Sequence, residues 1–147
     1  MSVRLRILFV CEHCRACGRF QNSLEREGCQ LQVAAGTEHA VRTLLSTSRL
    51  DAVLIHQDDL IRGSTIGWGL KLIRPSMPVL LLTASWPSNG ALPLGIDALC
   101  YTAALNRRVA HDITRFLRKL LADAPHRMLD QPRLDSRFLP RISNHLN

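Results

Sequence analysis

Five short segments of the chain have the hydrophobic pattern of β-strands. Segments 6–10, 51–55 and 79–82 are apolar almost throughout, which is typical of strands that are buried on both faces of a sheet. Segment 31–35 alternates apolar and polar residues, and segment 98–101 is a further short apolar run. The pattern therefore predicts five strands, with the central ones covered on both sides.

The segments between these strands repeat apolar residues every three or four positions, as one face of an α-helix does. We expect Thr37 to cap the second helix and Gly28 to follow the end of the first. The third helix is predicted to be weak, because Gly67 and Gly69 each cost roughly 1 kcal/mol relative to alanine. The positions that define the four helices are Ala16, Phe20 and Leu24; Val41, Leu44 and Leu45; Ile66, Leu70 and Ile73; and Val109, Ile113, Phe116, Leu117, Leu120 and Leu121.

Strands that alternate with helices, and that are apolar on both faces, are typical of an α/β fold. We therefore predict a doubly wound, five-stranded parallel sheet flanked by helices. The length of 147 residues suits one domain, which we expect to span residues 1–121. Residues 122–147 contain three prolines and no sustained apolar period, so we expect a C-terminal tail that is mostly loop.

Composition and charge narrow the environment and the partners. No apolar run approaches the roughly 18 residues of a membrane span, and the N-terminus lacks the pattern of a signal peptide, so we expect a cytoplasmic protein without membrane contact. Nineteen Lys and Arg against twelve Asp and Glu give a net charge of +7, which raises nucleic acid as a partner. The one dense basic patch, in segment 107–119, has the spacing of a solvated helix face, and no reading element is visible. A nucleic-acid partner is therefore disfavoured.

Four stretches of the sequence carry a resemblance to a known family. The chain resembles a bacterial response-regulator receiver domain at segments 7–12, 51–56 and 81–84, and at segment 95–99 with the following Thr102. The resemblance covers roughly Arg4 to Leu121. It implies a flavodoxin-like fold and a place in two-component signal transduction, with a protein partner from a signalling pathway; a homodimer is left open.

The resemblance also implies where the phosphorylation chemistry should be. In the family, two acids that end the first strand and an aspartate that ends the third hold Mg²⁺, and the aspartate accepts a phosphoryl group. The positions that match the acid pair, the aspartate, the switch hydroxyl and the lysine are Cys11, Glu12, His56, Thr83 and Thr102. Of these, Glu12 and Thr83 alone keep the required chemistry, so we expect a degenerate pocket, no catalytic residue and no resident cofactor. Asp58 and Asp59 lie beyond the strand end, which disfavours them as substitutes.

Cysteine and histidine at this pocket suggest a second interpretation. Five cysteines in a chain without an export signal favour thiols or metal ligands over a disulfide framework. Thiolate, imidazole and carboxylate together suit zinc or another transition metal. The candidate ligands are Cys11, Glu12, His13, Cys14 and His56. A redox role for Cys14 and Cys17 is also open, as is the simplest interpretation, in which Cys17 and Cys100 only fill the core.

The interval before the fifth predicted strand departs from the family. Segment 85–93 contains two prolines and a glycine, so the fourth helix of the family should be short or irregular and the surface it forms should be rebuilt. Trp86 is then either an exposed anchor for a partner or a residue that packs on the sheet. The sequence thus favours a non-catalytic, phosphorylation-independent protein-interaction module, a pseudo-receiver. The alternative is a metal- or thiol-based sensor that uses the Cys/His cluster.

Overall fold

The computed structural model describes residues 4–12 and 17–127, and within the last helix it describes side chains only up to residue 123. This part of the chain contains five strands and four helices. Their order is β1 Leu5–Cys11, α1 Gly18–Arg26, β2 Cys29–Ala34, α2 Thr37–Ser46, β3 Ala52–His56, α3 Leu60–Ile73, β4 Val79–Thr83, β5 Ala98–Tyr101 and α4 Arg107–Arg127.

The strands form one parallel sheet in the order β2-β1-β3-β4-β5. Helices α1 and α4 cover one face of the sheet, where Phe20 and Phe116 belong to the same buried cluster as Phe9. Helices α2 and α3 cover the other face, where Leu44 and Leu70 belong to a second buried cluster. The prediction of a doubly wound, five-stranded α/β fold is therefore confirmed.

The connection from β4 to β5 contains no helix. Residues 84–97 are all described, and they form turns, bends and irregular segments. Pro87 and Pro93 lack a backbone N–H and clash with a preceding helical turn, which explains why the chain cannot form a regular helix here. The expected fourth family helix is thus irregular throughout.

Two boundaries differ from the sequence-based expectation. Helix α4 continues to Arg127, past Leu121, the last residue of its predicted apolar stripe, because a helix can extend past its last core contact as long as its backbone hydrogen bonds continue. Residues 128–147 of the predicted tail lie outside the described residues. Helix α2 is capped by Gly36 instead of Thr37, and its inner face uses Ala40 and Leu44 while Leu45 is exposed.

Two aspartates fix the starts of two strands in the same way. The N–H of Arg6 donates to Asp51 Oδ2 at 2.8 Å, and the N–H of Asp51 donates back to the Arg6 carbonyl oxygen at 2.8 Å. Val79 and Asp97 exchange the same pair of hydrogen bonds, each also 2.8 Å long. Each carboxylate thereby satisfies a backbone donor of the neighbouring strand. These pairs hold β3 in register with β1, and β5 in register with β4.

A close approach between α3 and the β4–β5 connection depends on glycine. A Cβ atom at Gly67 would lie 2.6 Å from the carbonyl oxygen of Gly95. Gly95 itself has a φ of 82°, a left-handed conformation that favours glycine. Gly67 therefore lets the helix approach the connection directly, although it lowers the intrinsic helix propensity.

None of the helices in the described part of the chain has the combination of length and apolar character needed to cross a membrane.

Candidate functional site

The candidate site lies at the carboxyl edge of the sheet, where doubly wound folds place their functional residues. Cys11 is the last residue of β1 and His56 the last residue of β3. The two are directly paired across the parallel ladder, so their side chains leave the same face of the sheet. This is the face covered by α1 and α4, to which Cys11 also contributes as a core residue.

The start of α1 brings a second thiol to the same histidine. Cys17 caps α1 and is fully buried. Its Sγ lies 3.3 Å from Nδ1 of His56, and Sγ of Cys11 lies 3.6 Å from that same nitrogen. The three ligand atoms all lie within 4.8 Å of one another. Two buried sulfur atoms thus converge on one half-buried imidazole.

Sequence reasoning paired Cys11 with His56, but it left Cys17 open between a redox role and core packing and did not include it among the metal ligands. Cys17 reaches the site because α1 packs on the sheet with its first turn close to the end of β1. The signal available in the sequence was the spacing of Cys11 and Cys17, too wide for an ordinary Cys-x-x-Cys ligand pair. His13 and Cys14, the other candidate ligands, lie outside the described residues.

Glu12 is directed away from this cluster. Its Oε1 forms an ion pair with Arg62 Nε at 2.7 Å and accepts a hydrogen bond from Gln57 Nε2 at 3.3 Å. The candidate metal group found in the described residues consists of Cys11, Cys17 and His56 and does not include Glu12. The carboxylate therefore serves to hold the start of α3 near the end of β1.

The two threonines of the predicted pocket have backbone partners. Thr83 is buried at the end of β4, and its Oγ1 accepts from the N–H of Ser85 at 3.0 Å. The Thr102 hydroxyl donates to the Ala104 carbonyl at 2.8 Å, so it shapes the turn after β5. Neither side chain supplies the positive charge that a phosphoryl group would need at the position of Thr102.

The two aspartates beyond β3 also have structural roles. Asp58 Oδ1 accepts from the N–H of Ala84 at 2.8 Å, which ties the loop after β3 to the loop after β4. Asp59 caps α3, because its Oδ1 accepts from the N–H groups of Ile61 and Arg62. Both carboxylates thus have partners other than a metal or a phosphoryl group.

Trp86 packs against the protein instead of standing free. Its ring meets that of Tyr101 edge to face, with centroids 4.9 Å apart, and it contacts the buried cluster on the α2 and α3 side of the sheet. Of the two alternatives for Trp86, the structure shows the one in which the residue packs on the sheet.

Three of the six exposed large apolar residues in the described part of the chain lie on α3. Ile61, Trp68 and Leu72 are 81%, 47% and 69% exposed, and the exposed Thr65 lies between them. Positions 61, 65, 68 and 72 form one continuous stripe along the helix, because they are spaced by four, three and four residues. The opposite face of the same helix buries Gly63, Ile66, Gly67 and Leu70. Helix α3 is thus apolar on both its inner and its outer face.

Comparison with known proteins identifies the fold. No protein-family model matches the chain, and no curated protein matches it. The CheY-like receiver domain protein from Methanospirillum hungatei JF-1 is 19% identical with a TM-score of 0.66, covering 84% of this chain and 98% of that one. The signal receiver domain of an HD domain-containing protein from Pseudomonas fluorescens Pf-5 is 19% identical with a TM-score of 0.67, covering 86% and 96%.

A third similar structure contains bound ligands. It is the response regulator TrrA from Thermotoga maritima in complex with Mg²⁺ and BeF, which is 20% identical with a TM-score of 0.61, covering 77% of this chain and 98% of that one. These similarities define the class of fold: the described part of the chain has the flavodoxin-like fold of CheY-type receiver domains.

Proposed function

We propose that the chain is a regulatory module of the receiver type that works through protein contacts, without phosphotransfer and without catalysis, in two-component-like signal transduction. The outer face of α3 carries this proposal, because an apolar stripe on a surface helix indicates a contact surface. The residues at the carboxyl edge of the sheet support the absence of phosphotransfer.

The chemistry at the end of β3 disfavours an acyl phosphate. The imidazole of His56 has no carboxylate oxygen that could form one, and a thiol and an imidazole are poor ligands for a hard cation such as Mg²⁺. Glu12, the acid that remains at the end of β1, is already neutralised by Arg62. Asp58 and Asp59 accept hydrogen bonds from backbone N–H groups. These partners support the proposal that the end of β3 accepts no phosphoryl group.

The occupant that best fits the stripe is α3 of a second copy of this chain. A spacing of four, three and four residues is the same in both directions, so an antiparallel pair is self-complementary. Ile61 then lies opposite the second copy's Leu72, and the small Thr65 lies opposite the second copy's Trp68. Large and small side chains therefore interdigitate at the centre of the contact.

The charges beside the stripe permit this pairing. An antiparallel arrangement brings Arg62 of one copy towards Lys71 of the other, and two like charges would repel each other. Each of them, however, already has a partner within its own chain: Arg62 pairs with Glu12, and Lys71 pairs with Asp97. The flanks of the stripe are thus locally neutral, which removes the main electrostatic obstacle to self-association.

Sedimentation equilibrium of the full chain over a range of concentrations tests this contact. We expect a concentration-dependent dimer that Leu72→Lys abolishes. Leu45→Lys is the matched control, since Leu45 is also 69% exposed but lies on α2, away from the stripe. A wild-type protein that stays monomeric at all concentrations would overturn the contact, and so would a dimer that survives in Leu72→Lys.

Treatment with a small phosphodonor such as acetyl phosphate, in the presence of Mg²⁺, tests the absence of phosphotransfer. We expect the intact mass of the protein to remain unchanged. Incorporated phosphate that is lost in Asp58→Asn, Asp59→Asn or His56→Gln would overturn the proposal and identify the acceptor.

A further inference from the structure

We propose that Cys11, Cys17 and His56 bind a divalent transition-metal ion, and that Zn²⁺ is the best match. The inference rests on the positions of three ligand atoms and is independent of the contact proposed for α3. The ion would lie between the end of β1, the end of β3 and the first turn of α1.

The spacing of the ligand atoms suits a tetrahedral ion. Metal–ligand distances of about 2.3 Å for sulfur and about 2.0–2.1 Å for nitrogen place two ligands of a tetrahedral Zn²⁺ roughly 3.6 Å apart when one is sulfur and the other nitrogen. The two sulfur–nitrogen distances here are 3.6 Å for Cys11 and 3.3 Å for Cys17, both measured to Nδ1 of His56. The three ligand atoms lie within 4.8 Å of one another. Two sulfur ligands of such an ion are roughly 3.8 Å apart, so binding requires the two thiols to approach each other by at most about 1 Å.

Charge balance favours a dication. Two thiolates and a neutral imidazole carry a total charge of −2, which offsets an ion of charge +2 in a largely buried place. On binding, each thiol gives up its proton to the buffer and forms a metal–sulfur bond, and His56 donates the lone pair of Nδ1 without changing its charge. The start of α1 adds the positive end of a helix dipole near Cys17, which further stabilises a thiolate there.

Three ligands leave one position of a tetrahedral ion for a further ligand. Cys11 and Cys17 are buried and His56 is half-buried, so His56 is the most exposed of the three ligands. A metal at this place would couple the end of β1 and the start of α1 to the end of β3, and so it would stabilise the site edge as a unit.

A titration with Co²⁺ tests the site in the full chain. The protein is stripped with a chelator, kept reduced with a phosphine, and titrated with Co²⁺ alone. We expect thiolate-to-cobalt charge-transfer absorption in the near ultraviolet, the ligand-field bands of a four-coordinate ion in the visible, and displacement of Co²⁺ by one equivalent of Zn²⁺.

Variants of the three ligands locate the ion. Loss of an outer-shell partner already weakens metal binding by about 10–100-fold, so Cys17→Ser and His56→Gln should weaken Co²⁺ binding by more than about 100-fold. Cys29→Ser is the matched control: Cys29 is also buried in the cluster beneath α1 and α4, but it pairs with Leu5 at the opposite end of β1. We expect this control to bind Co²⁺ as the wild type does.

Two results of these experiments would contradict the metal site. Absence of charge-transfer absorption in the reduced wild type would overturn the proposal, as would bands that persist in both Cys17→Ser and His56→Gln. Far-ultraviolet circular dichroism of the metal-free proteins shows whether each variant is folded, and His56→Gln, at a half-buried position, provides the test if Cys17→Ser does not fold. Leu72→Lys should bind Co²⁺ normally, which separates this site from the α3 contact.

Discussion

Sγ of Cys17 lies 3.3 Å from Nδ1 of His56, across 39 positions of the sequence. This contact joins the first turn of α1 to the end of β3, and Cys11 reaches the same nitrogen from the end of β1. Three separate elements therefore meet at one imidazole. The arrangement places two sulfur atoms and one nitrogen atom together at the carboxyl edge of the sheet.

Zinc should stabilise the protein through this contact. A ligand that binds only the folded state at about 100 times its Kd adds about 2.7 kcal/mol to the free energy of unfolding. We expect a gain of that order from Zn²⁺, reversed by a chelator, in urea unfolding followed by circular dichroism. Cys17→Ser should lose most of the gain. Equal stabilisation of both proteins would place the ion elsewhere.

Replacing Gly67 and Gly69 by alanine should change the free energy of unfolding in opposite directions. A Cβ atom at Gly67 would lie 2.6 Å from the Gly95 carbonyl oxygen, whereas a Cβ atom at Gly69 has no neighbour within 4 Å. We expect Gly67→Ala to destabilise the fold by about 1–3 kcal/mol through overpacking, and Gly69→Ala to stabilise it by about 0.5–1 kcal/mol through helix propensity. Chemical unfolding measures both. The same sign of change in the two variants would contradict the close approach.

The carboxylate of Asp97 should contribute more to the free energy of unfolding as a hydrogen-bond acceptor than through its negative charge. Asp97→Ala removes the acceptor for the buried N–H of Val79 and the partner of Lys71. We expect a loss of about 1–3 kcal/mol in the free energy of unfolding, typical of a buried donor left without a partner. Asp97→Asn keeps an acceptor oxygen and should lose less. If the two variants are equally unstable, the ion pair with Lys71 dominates instead.

Cys29 should make the fold less stable at alkaline pH. Burial raises the pKa of the Cys29 thiol above its ordinary value of 9.0, and the hydrogen bond with Thr114 and the charge of Arg118 offset this only in part. In the unfolded chain the thiol ionises near its ordinary pKa, whereas in the folded chain it stays protonated to higher pH. Stability from this group is therefore complete below about pH 9 and falls as the pH rises above it.

The measurement for Cys29 is the free energy of unfolding as a function of pH under reducing conditions, compared with Cys29→Ser. The serine does not ionise in this range, so the variant should show a shallower alkaline decline, while the other thiols contribute equally to both proteins. Parallel pH profiles of the two proteins would show that Cys29 is not responsible.

Much of the architecture could be predicted from local patterns. The strands are apolar on both faces, and stretches with helical periodicity separate them. A parallel sheet between two layers of helices is the arrangement that buries all these apolar faces. The prolines of the β4–β5 connection likewise predicted the irregular segment, because proline removes a backbone donor wherever it occurs. These features depend on residues that are neighbours in the sequence.

Other features were decided by contacts between distant segments. Gly67 was predicted as a weakness of α3, yet it permits the approach to Gly95, and periodicity alone could not show that the outer face of this helix is apolar as well. Cys11 and His56 could be paired from the expected strand ends. That Cys17 lies beside them depends on how α1 packs on the sheet. That Glu12 pairs with Arg62 depends on the position of α3. The sequence determines which faces of the helices and strands must be buried. Which side-chain atoms contact one another depends on how the helices and strands pack together.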